Sequence, residues 1–226
     1  MIKARLAALS FALIGSQALA QPVEFPFFGA NNASGYQVTI TNITQAQTFT
    51  PQLIVTHPQS ASLFQLGEPA SPELENLAEG GATGPLTDAV VNVAEDVQTI
   101  GGLLGPGESA TATIRSRGNT RFFSMAAMLL PTNDTFVGVD SLRRPPQGTV
   151  TYFARAYDAG TEANDQLCAN IPGPLCDGEP GSAPADDDEG FVHVSNGFHD
   201  LGGEALSPAT YDWRNPVARV VVTRIR

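Results

Sequence analysis

Two acidic segments in the middle of the chain contain the side chains whose chemistry is most specific. The first, residues 131–140, contains Asp134, and the second, residues 157–165, contains Asp158. A hard cation such as Ca²⁺ takes about six to eight oxygen ligands from carboxylates, amide side chains and backbone carbonyls, and both segments offer all three. They therefore predict a cation site. The alternative is that these Asp and Asn side chains bond only to their own backbone at turns.

The spacing within the first segment limits which carboxylates can share one ion. If residues 134–140 form an extended strand, a rise of roughly 3.3 Å per residue places Asp134 and Asp140 about 20 Å apart, too far for one site. Asp134 stands at the start of that strand, where a neighbouring strand can bring it to the Asp158 loop. We therefore expect Asp134 and Asp158 to share one divalent cation, most simply Ca²⁺.

His193 and His199, followed by Asp200, form a second group of reactive side chains. Histidine can ligate a metal or act as an acid or base near neutral pH, although both histidines can equally be structural or exposed. The chain contains neither a Gly-x-Ser-x-Gly nucleophile motif nor a His-Glu-x-x-His metal motif. We expect a protein that is not an enzyme. The alternative is a hydrolase or lyase that uses His193 and His199 with nearby carboxylates.

The two cysteines, Cys168 and Cys176, follow closely after the second acidic segment. In a chain that is exported to an oxidising compartment, a lone close pair most simply forms a local disulfide. The two thiols do not predict a zinc site, because no second pair of Cys or His ligands stands nearby at matching spacing.

The elements that position these residues are predicted to be β-strands. Apolar and polar residues alternate with period 2 through most of the chain, with turn residues between the segments, which favours antiparallel strands. The predicted fold class is all-β, an antiparallel β-sandwich of about eight strands. The strands are Tyr36–Thr44, Phe49–Thr56, Ser109–Ile114, Arg121–Leu130, Thr135–Val139, Thr149–Arg155, Phe191–Ser195 and Val217–Ile225.

Two short helices are expected to cover an end or edge of the sandwich. Ser71 followed by Pro72 is typical of a helix start, and Gly80-Gly81 is typical of its end. Apolar residues at helical spacing predict a second helix over residues 86–97.

The N-terminus and the composition predict export. Lys3 and Arg5 precede a short apolar run that ends at Ala18-Leu19-Ala20, which is typical of a signal peptide over residues 1–20. Residues 21–226 then form one domain, and no segment in them reaches the ~20 apolar residues of a transmembrane helix. We expect a secreted or periplasmic protein.

The charge balance excludes some partners. The chain has 23 acidic and 12 basic residues and a formal net charge of −11, so nucleic acids and anionic membranes are poor partners. Every basic residue after Lys3 is an arginine, and arginines in strands typically pair with carboxylates. The acidic stretch over residues 177–190 is expected to be a solvated loop.

Three segments taken together resemble a known family. Residues 128–142, the tetrapeptide Asp158-Ala159-Gly160-Thr161 and the closing strand at residues 216–220 are similar to the spondin domain of extracellular-matrix proteins such as F-spondin and mindin. The longer acidic motif over residues 158–165 resembles the bacterial branch. The resemblance extends over residues 30–226, with the motifs in the same order.

This resemblance implies a C2-like β-sandwich with a divalent-cation site at Asp134 and Asp158. The animal domains take a further carboxylate from the preceding strand, but residues 110–116 contain none. They also have Trp where this chain has Thr135. Other oxygen ligands from the elongated motif can replace the missing carboxylate: Glu162, Asn164 and Asp165.

We expect a binding or adhesion-type module with a Ca²⁺ site at one end of the sandwich. The predicted partner is an extracellular or envelope protein or a glycan. A third possibility is a structural envelope or matrix protein that binds no metal ion. Convergence of Asp134 with Asp158 favours the binding module, whereas convergence of a histidine with carboxylates in a concave pocket favours an enzyme.

Overall fold

The computed structural model describes residues 33–181, 188–199 and 206–225. The predicted signal peptide, Asp200 and residues 182–187 of the predicted acidic loop lie outside these residues. The strands are β1 Ser34–Asn42, β2 Thr48–Phe49, β3 Gln52–His57, β4 Asp96–Ile100, β5 Ser109–Ser116, β6 Phe122–Leu130, β7 Thr135–Arg143, β8 Thr149–Asp158, β9 His193–Val194 and β10 Ala218–Arg224. The helices are α1 Pro72–Gly80, α2 Thr83–Val90 and α3 Pro208–Tyr211, with a 3₁₀ turn at Cys168–Asn170.

The strands form one antiparallel sheet that folds back on itself. Its order is β4-β3-β6-β7-β8-β10-β1-β5, with β2 paired to β6 and β9 paired to β8. The two edge strands meet, because the Asp96 carboxylate of β4 accepts a hydrogen bond from the backbone N–H of Arg115 on β5 at 2.8 Å. The Arg115 side chain reaches the same carboxylate at 3.1 Å. The sheet is therefore nearly closed, and the predicted all-β antiparallel fold class is confirmed.

The interior between the two layers is filled by alternate residues of the strands. On β1 these are Tyr36, Val38 and Ile40, and on β10 they are Val220 and Val222, all of which are buried. The alternation places the intervening polar residues on the outer surface, as expected for a sheet with one dry face.

A second apolar cluster lies on the outer face of β3, β6 and β7, under α1 and α2. Ile54 of β3 faces the interior, whereas its neighbours Leu53 and Val55 belong to this outer cluster. Leu74 and Leu77 of α1 pack into the same cluster. Strand β3 is consequently buried on both faces. Within the described part of the chain, no helix is long and apolar enough to cross a membrane.

Helix α1 begins and ends as its sequence predicts. The Ser71 side chain accepts a hydrogen bond from the backbone N–H of Leu74 at 3.2 Å. Gly81 caps the other end in the left-handed conformation, with φ of 68°. An added Cβ at Gly81 would lie 2.8 Å from a Thr50 methyl carbon, so both the conformation and the space require glycine.

The second predicted helix, residues 86–97, is wrong in its C-terminal part. Helix α2 ends at Val90, and Asp96–Ile100 forms β4, which pairs with β3. Val97, Thr99 and Ile100 are β-branched residues that suit a strand, and pairing with β3 satisfies their backbone groups. The helical spacing of the apolar residues in 86–94 also fits Val97 of this strand, which is why the predicted helix was too long.

The predicted strand Phe49–Thr56 is two strands in the structure. β2 ends at Phe49 and pairs with β6, while β3 begins at Gln52 and pairs with both β4 and β6. Pro51 lies between them, and its missing N–H cannot take part in a continuous ladder.

The topology separates the two ends of the sandwich. The connection between β6 and β7 and the C-terminal end of β8 lie at one end, because Thr135 pairs with Asp158. The other end contains Arg143 at the end of β7 and Thr149 at the start of β8. The length of β7 puts about 26 Å between the two ends.

We predict that Leu77→Ala destabilises the protein by about 2–5 kcal/mol, because it leaves a cavity in the outer cluster, where Leu77 is fully buried. The matched control is Val91→Ala, since Val91 is 52% exposed and should change stability by less than about 0.5 kcal/mol. Urea denaturation of both variants measures this difference. Equal stability of the two variants would show that α1 contributes little to the fold.

Candidate cation site

The site is built where β7 begins and β8 ends. Thr135 and Asp158 are directly paired in the sheet, so Asp134 lies beside the first residues after β8. The backbone N–H of Ala159 donates to the Asp134 carbonyl oxygen at 3.2 Å, which extends the pairing by one step. The structure thus places Asp134 and Asp158 at the same end of two neighbouring strands.

Asp134 is held as a buried carboxylate with one oxygen unused. Its side chain has 0% exposure. Its Oδ2 atom accepts hydrogen bonds from the backbone N–H groups of Thr161 at 2.9 Å and Glu162 at 3.1 Å. Its Oδ1 atom is buried and has no hydrogen-bond partner among the residues that the structure describes. A buried, unsatisfied carboxylate oxygen is costly unless it has a ligand.

Asp158 has a different set of partners. Its Oδ1 atom accepts a hydrogen bond from the backbone N–H of Gly160 at 2.9 Å, and its Oδ2 atom accepts one from Asn164 Nδ2 at 3.1 Å. Gly160 has φ of 67°, and an added Cβ would lie 2.4 Å from the Phe191 carbonyl oxygen. Glycine is therefore required for the chain to turn from β8 into the loop that supplies Thr161 and Glu162.

A histidine and a second carboxylate stand on the outer side of Asp158. His193 Nε2 lies 3.4 Å from Asp158 Oδ1 and 3.8 Å from Glu189 Oε2. Asn164 Nδ2 also donates to Glu189 Oε1 at 2.9 Å. The potential ligand atoms of Asp158, Glu189 and His193 all lie within 4.8 Å of one another, a separation that one metal ion can bridge.

Two glutamates extend the carboxylate group toward α1. Glu162 is 3% exposed, and Glu79 in the last turn of α1 is 4% exposed. Burial raises the pKa of Glu79, a hydrogen bond with the Thr161 side chain lowers it, and the charge of Glu162 raises it further. Glu79 also lines a small pocket of about 310 Å³ with Pro180 and Gly181.

Sequence reasoning missed Glu79, although one signal could have found it. The negative end of the helix dipole lies at the last turn, where an acidic side chain is unfavourable. Glu73 and Glu75 occupy the favourable first turn, whereas Glu79 does not. An acid at the wrong end of a helix, and on its buried face, indicates a partner elsewhere in the fold.

The carboxylates repel one another and resist ionisation. Burial raises the pKa of Asp134 well above its usual range, and the charge of Asp158 raises it further. Burial also raises the pKa of Asp158, while His193 opposes that change. Burial is the main cause that raises the pKa of Glu79 to about 7. A bound cation would relieve this repulsion, so the donor set fits an oxygen-binding ion.

Asp165 is engaged with its own loop. Its Oδ1 atom accepts a hydrogen bond from Leu167 N at 2.8 Å, and its Oδ2 atom accepts one from Asn170 Nδ2 at 2.7 Å. The same loop contains the predicted disulfide between Cys168 and Cys176, which the structure confirms. Asp165 thus orders the disulfide loop in this structure, whereas Asn164 contacts Asp158 directly.

The two histidines of the enzyme alternative, His193 and His199, contact different groups of residues. His193 contacts Asp158 and Glu189, whereas the backbone of His199 bonds to the Gln166 side chain. Within the described ranges, no serine, threonine or cysteine side chain hydrogen-bonds to either imidazole. Among the described residues, the contacts of His193 with Asp158 and Glu189 are the one feature of the enzyme alternative that forms, and nothing else there points to a hydrolase or lyase.

Comparison with known proteins identified one family. The Spondin_N family model matches residues 36–165, which is more than half of the chain. The match includes Asp134, Asp158, Glu162, Asn164 and Asp165, and it ends before the disulfide and His193. A search of curated proteins found no match.

We predict that Glu79→Gln stabilises the metal-free protein at pH 8 by about 1–2 kcal/mol, a figure that allows for screening by solvent. The pKa of Glu79 is raised to about 7, so the folded chain holds this proton more tightly than the unfolded chain. The stability of the wild type should therefore fall as pH rises from about 4.5 to 7. The variant should not show the part of this fall that comes from deprotonation of Glu79. Urea denaturation in chelator at pH 5 and pH 8 measures it.

The control for this prediction is Glu73→Gln on the same helix. Glu73 lies in the first turn, where its charge is favourable, so the variant should lose about 0.3–1 kcal/mol at pH 8. A Glu79→Gln variant that is less stable than the wild type at pH 8 would contradict the assignment of Glu79 as a buried, repelled carboxylate.

Proposed function

Because the chain belongs to the spondin-domain family, we propose that it acts as an extracellular binding module rather than as an enzyme. In this proposal a divalent cation, Ca²⁺, binds at the end of β7 and β8 and orders the surrounding loops as a recognition surface. The partner is an extracellular or envelope protein or a glycan. The family match, the single disulfide and the all-β fold support a place outside the cytoplasm.

The observation that carries the cation proposal is the buried Oδ1 atom of Asp134. It has no hydrogen-bond partner in the described part of the chain, and its carboxylate group stands near the charges of Asp158 and Glu162. Hydrogen bonds alone leave this group electrostatically unfavourable. A cation ligated by Asp134, Asp158 and Glu162 would satisfy the oxygen and remove the repulsion at once.

Glu79 is proposed as a further ligand from α1. The animal spondin domains take an additional carboxylate from the preceding strand. This chain has the strand but no carboxylate on it. Glu79 comes from a different element but offers the same carboxylate group, and it lies near the site because its side chain hydrogen-bonds with Thr161 and the charge of Glu162 affects its pKa. Such a site would tie α1 to the β7–β8 end of the sandwich.

His193 makes the identity of the ion a question for experiment. An oxygen-only set favours Ca²⁺, whereas an imidazole nitrogen beside Asp158 and Glu189 suits Zn²⁺ or Mn²⁺. We propose Ca²⁺ because the four most deeply buried acidic groups around the site offer only oxygen: Glu79, Asp134, Asp158 and Glu162. His193 and Glu189 are more exposed, and they lie on the outer side of the site.

Export is proposed to remove residues 1–20. The mature chain should then begin at Gln21. Intact-mass analysis of the protein recovered from outside the cytoplasm measures this directly. Recovery of a chain that still begins at Met1 would contradict the export proposal. Neither result bears on the cation proposal, which has its own test.

We predict that Ca²⁺ raises the melting temperature of the purified mature protein after chelator treatment. An ion that binds only the folded state adds about 2.7 kcal/mol of stability at one hundred times its dissociation constant. Asp134→Asn and Asp158→Asn should each weaken binding at least about tenfold, since each removes a ligand charge. In chelator neither variant should be less stable by more than about 1 kcal/mol, because each also removes a repulsive charge.

The matched control is Asp88→Asn, which changes an exposed acid on α2 and should leave the Ca²⁺ response unchanged. Differential scanning calorimetry with Ca²⁺, Mn²⁺ and Zn²⁺ in separate titrations distinguishes the outcomes. A shift with Zn²⁺ alone would refute Ca²⁺ and favour the histidine set. No shift with any of the three ions would refute the cation proposal.

A further inference from the structure

A second concave site lies at the opposite end of the sandwich. It is a pocket of about 640 Å³ between the ends of β6, β7 and β10. Four arginines line it: Arg121, Arg143, Arg144 and Arg224. Its volume is within the range of small-molecule binding sites, which is about 300–1,000 Å³. None of the described residues that line it is acidic.

This concentration of positive charge is unusual for the chain. The protein carries 23 acidic residues against 12 basic ones, yet four of the basic residues meet at one pocket. Three arginines elsewhere have carboxylate partners: Arg115 pairs with Asp96 at 3.1 Å, Arg117 pairs with Glu95 at 2.8 Å, and Arg214 pairs with Asp212. In the described ranges, Arg121, Arg143 and Arg144 have no carboxylate oxygen within 4.0 Å. Their positive charges are therefore uncompensated.

The guanidinium groups are held in place by neutral partners. Arg143 lies over the Phe122 ring at 5.8 Å from its centre, and Arg144 lies over the Tyr36 ring at 5.3 Å. Stacking on a ring supports the flat face of a guanidinium and leaves its N–H edge available to an acceptor. These contacts preorganise the side chains and reduce the entropy lost when a ligand binds.

The remaining contacts leave donors unused. Arg121 Nε donates to the Gly118 carbonyl at 3.2 Å. Arg144 donates through Nη1 to the Tyr36 hydroxyl, but its Nε is buried without a hydrogen-bond partner among the residues with described positions. A buried charged donor without an acceptor is costly, so the charge of Arg144 is only partly satisfied within the described residues.

We propose that this pocket binds a small ligand with two or more oxyanion groups, such as an acidic saccharide that carries sulfate, phosphate or carboxylate. Arginine forks pair bidentately with such groups. Pro145, Pro146 and Val150 supply apolar surface for the body of the ligand. A membrane or nucleic acid is a poorer fit, because the pocket is concave and an extended polyanion would also meet the net negative charge of the whole protein.

The test is isothermal titration calorimetry at low ionic strength with two probes, inorganic pyrophosphate and a disulfated disaccharide. Both probes should bind to the wild type, and binding should weaken as salt is added. Arg121→Gln and Arg143→Gln should each lower the affinity about tenfold or more, because each removes a charge-assisted donor. The matched control, Arg155→Gln, removes an exposed arginine of β8 outside the pocket and should leave binding unchanged.

Unchanged melting temperatures in chelator confirm that the arginine variants are folded, and Ca²⁺ titration of the same variants keeps this test separate from the cation site. Pyrophosphate binding alone, sensitive to both arginines, supports the site with phosphate as its ligand group. Absence of binding by both probes refutes the proposal, as does binding that both arginine variants retain. Binding only to phosphatidylglycerol vesicles would refute a small-ligand site and assign the arginines to a membrane surface.

Discussion

The burial of several carboxylates at the β7–β8 end is the constraint around which the surrounding structure is arranged. Asp134, Asp158 and Glu162 are almost wholly removed from water, and charges so placed are unfavourable without compensation. The chain supplies part of that compensation from its backbone, since the N–H groups of Thr161 and Glu162 converge on one oxygen of Asp134. That convergence requires the turn at Gly160 and the register that pairs Thr135 with Asp158.

The outer apolar cluster explains how a helix reaches this end of the sheet. Leu74 and Leu77 fix α1 on β6 and β7, and the same turns of the helix carry Glu79 to the carboxylate group. Hydrophobic burial of α1 offsets the cost of placing Glu79 against the unfavourable end of the helix dipole. The loop closed by Cys168 and Cys176 continues to Gly181, where its backbone passes close to Glu79. Three separate segments therefore enclose one group of charges.

The alternation of apolar and polar residues predicted the strands, because strand formation depends on local geometry. Alternation gave seven strands close to their true positions, and strand pairing then brought Asp134 beside Asp158. Glu79 could not be assigned in this way, because its partner Glu162 is remote in sequence and only the packing of α1 joins them. β4 was missed since its apolar residues continue the helical spacing of α2. Similarly, Arg121, Arg143, Arg144 and Arg224 belong to different strand ends, and only the folded sheet collects them.

The two ends of the sandwich can differ so strongly in charge because the sheet keeps them apart. About 26 Å of β7 separates Asp134 from Arg143, whereas charges at physiological salt are largely screened beyond about 8 Å. At shorter range the arginines would neutralise the carboxylates, and neither group would remain available to a ligand. The hydrogen-bonded register of β6, β7 and β8 fixes both ends in one rigid frame. An acidic site and a basic pocket can thus coexist on a single domain without neutralising each other.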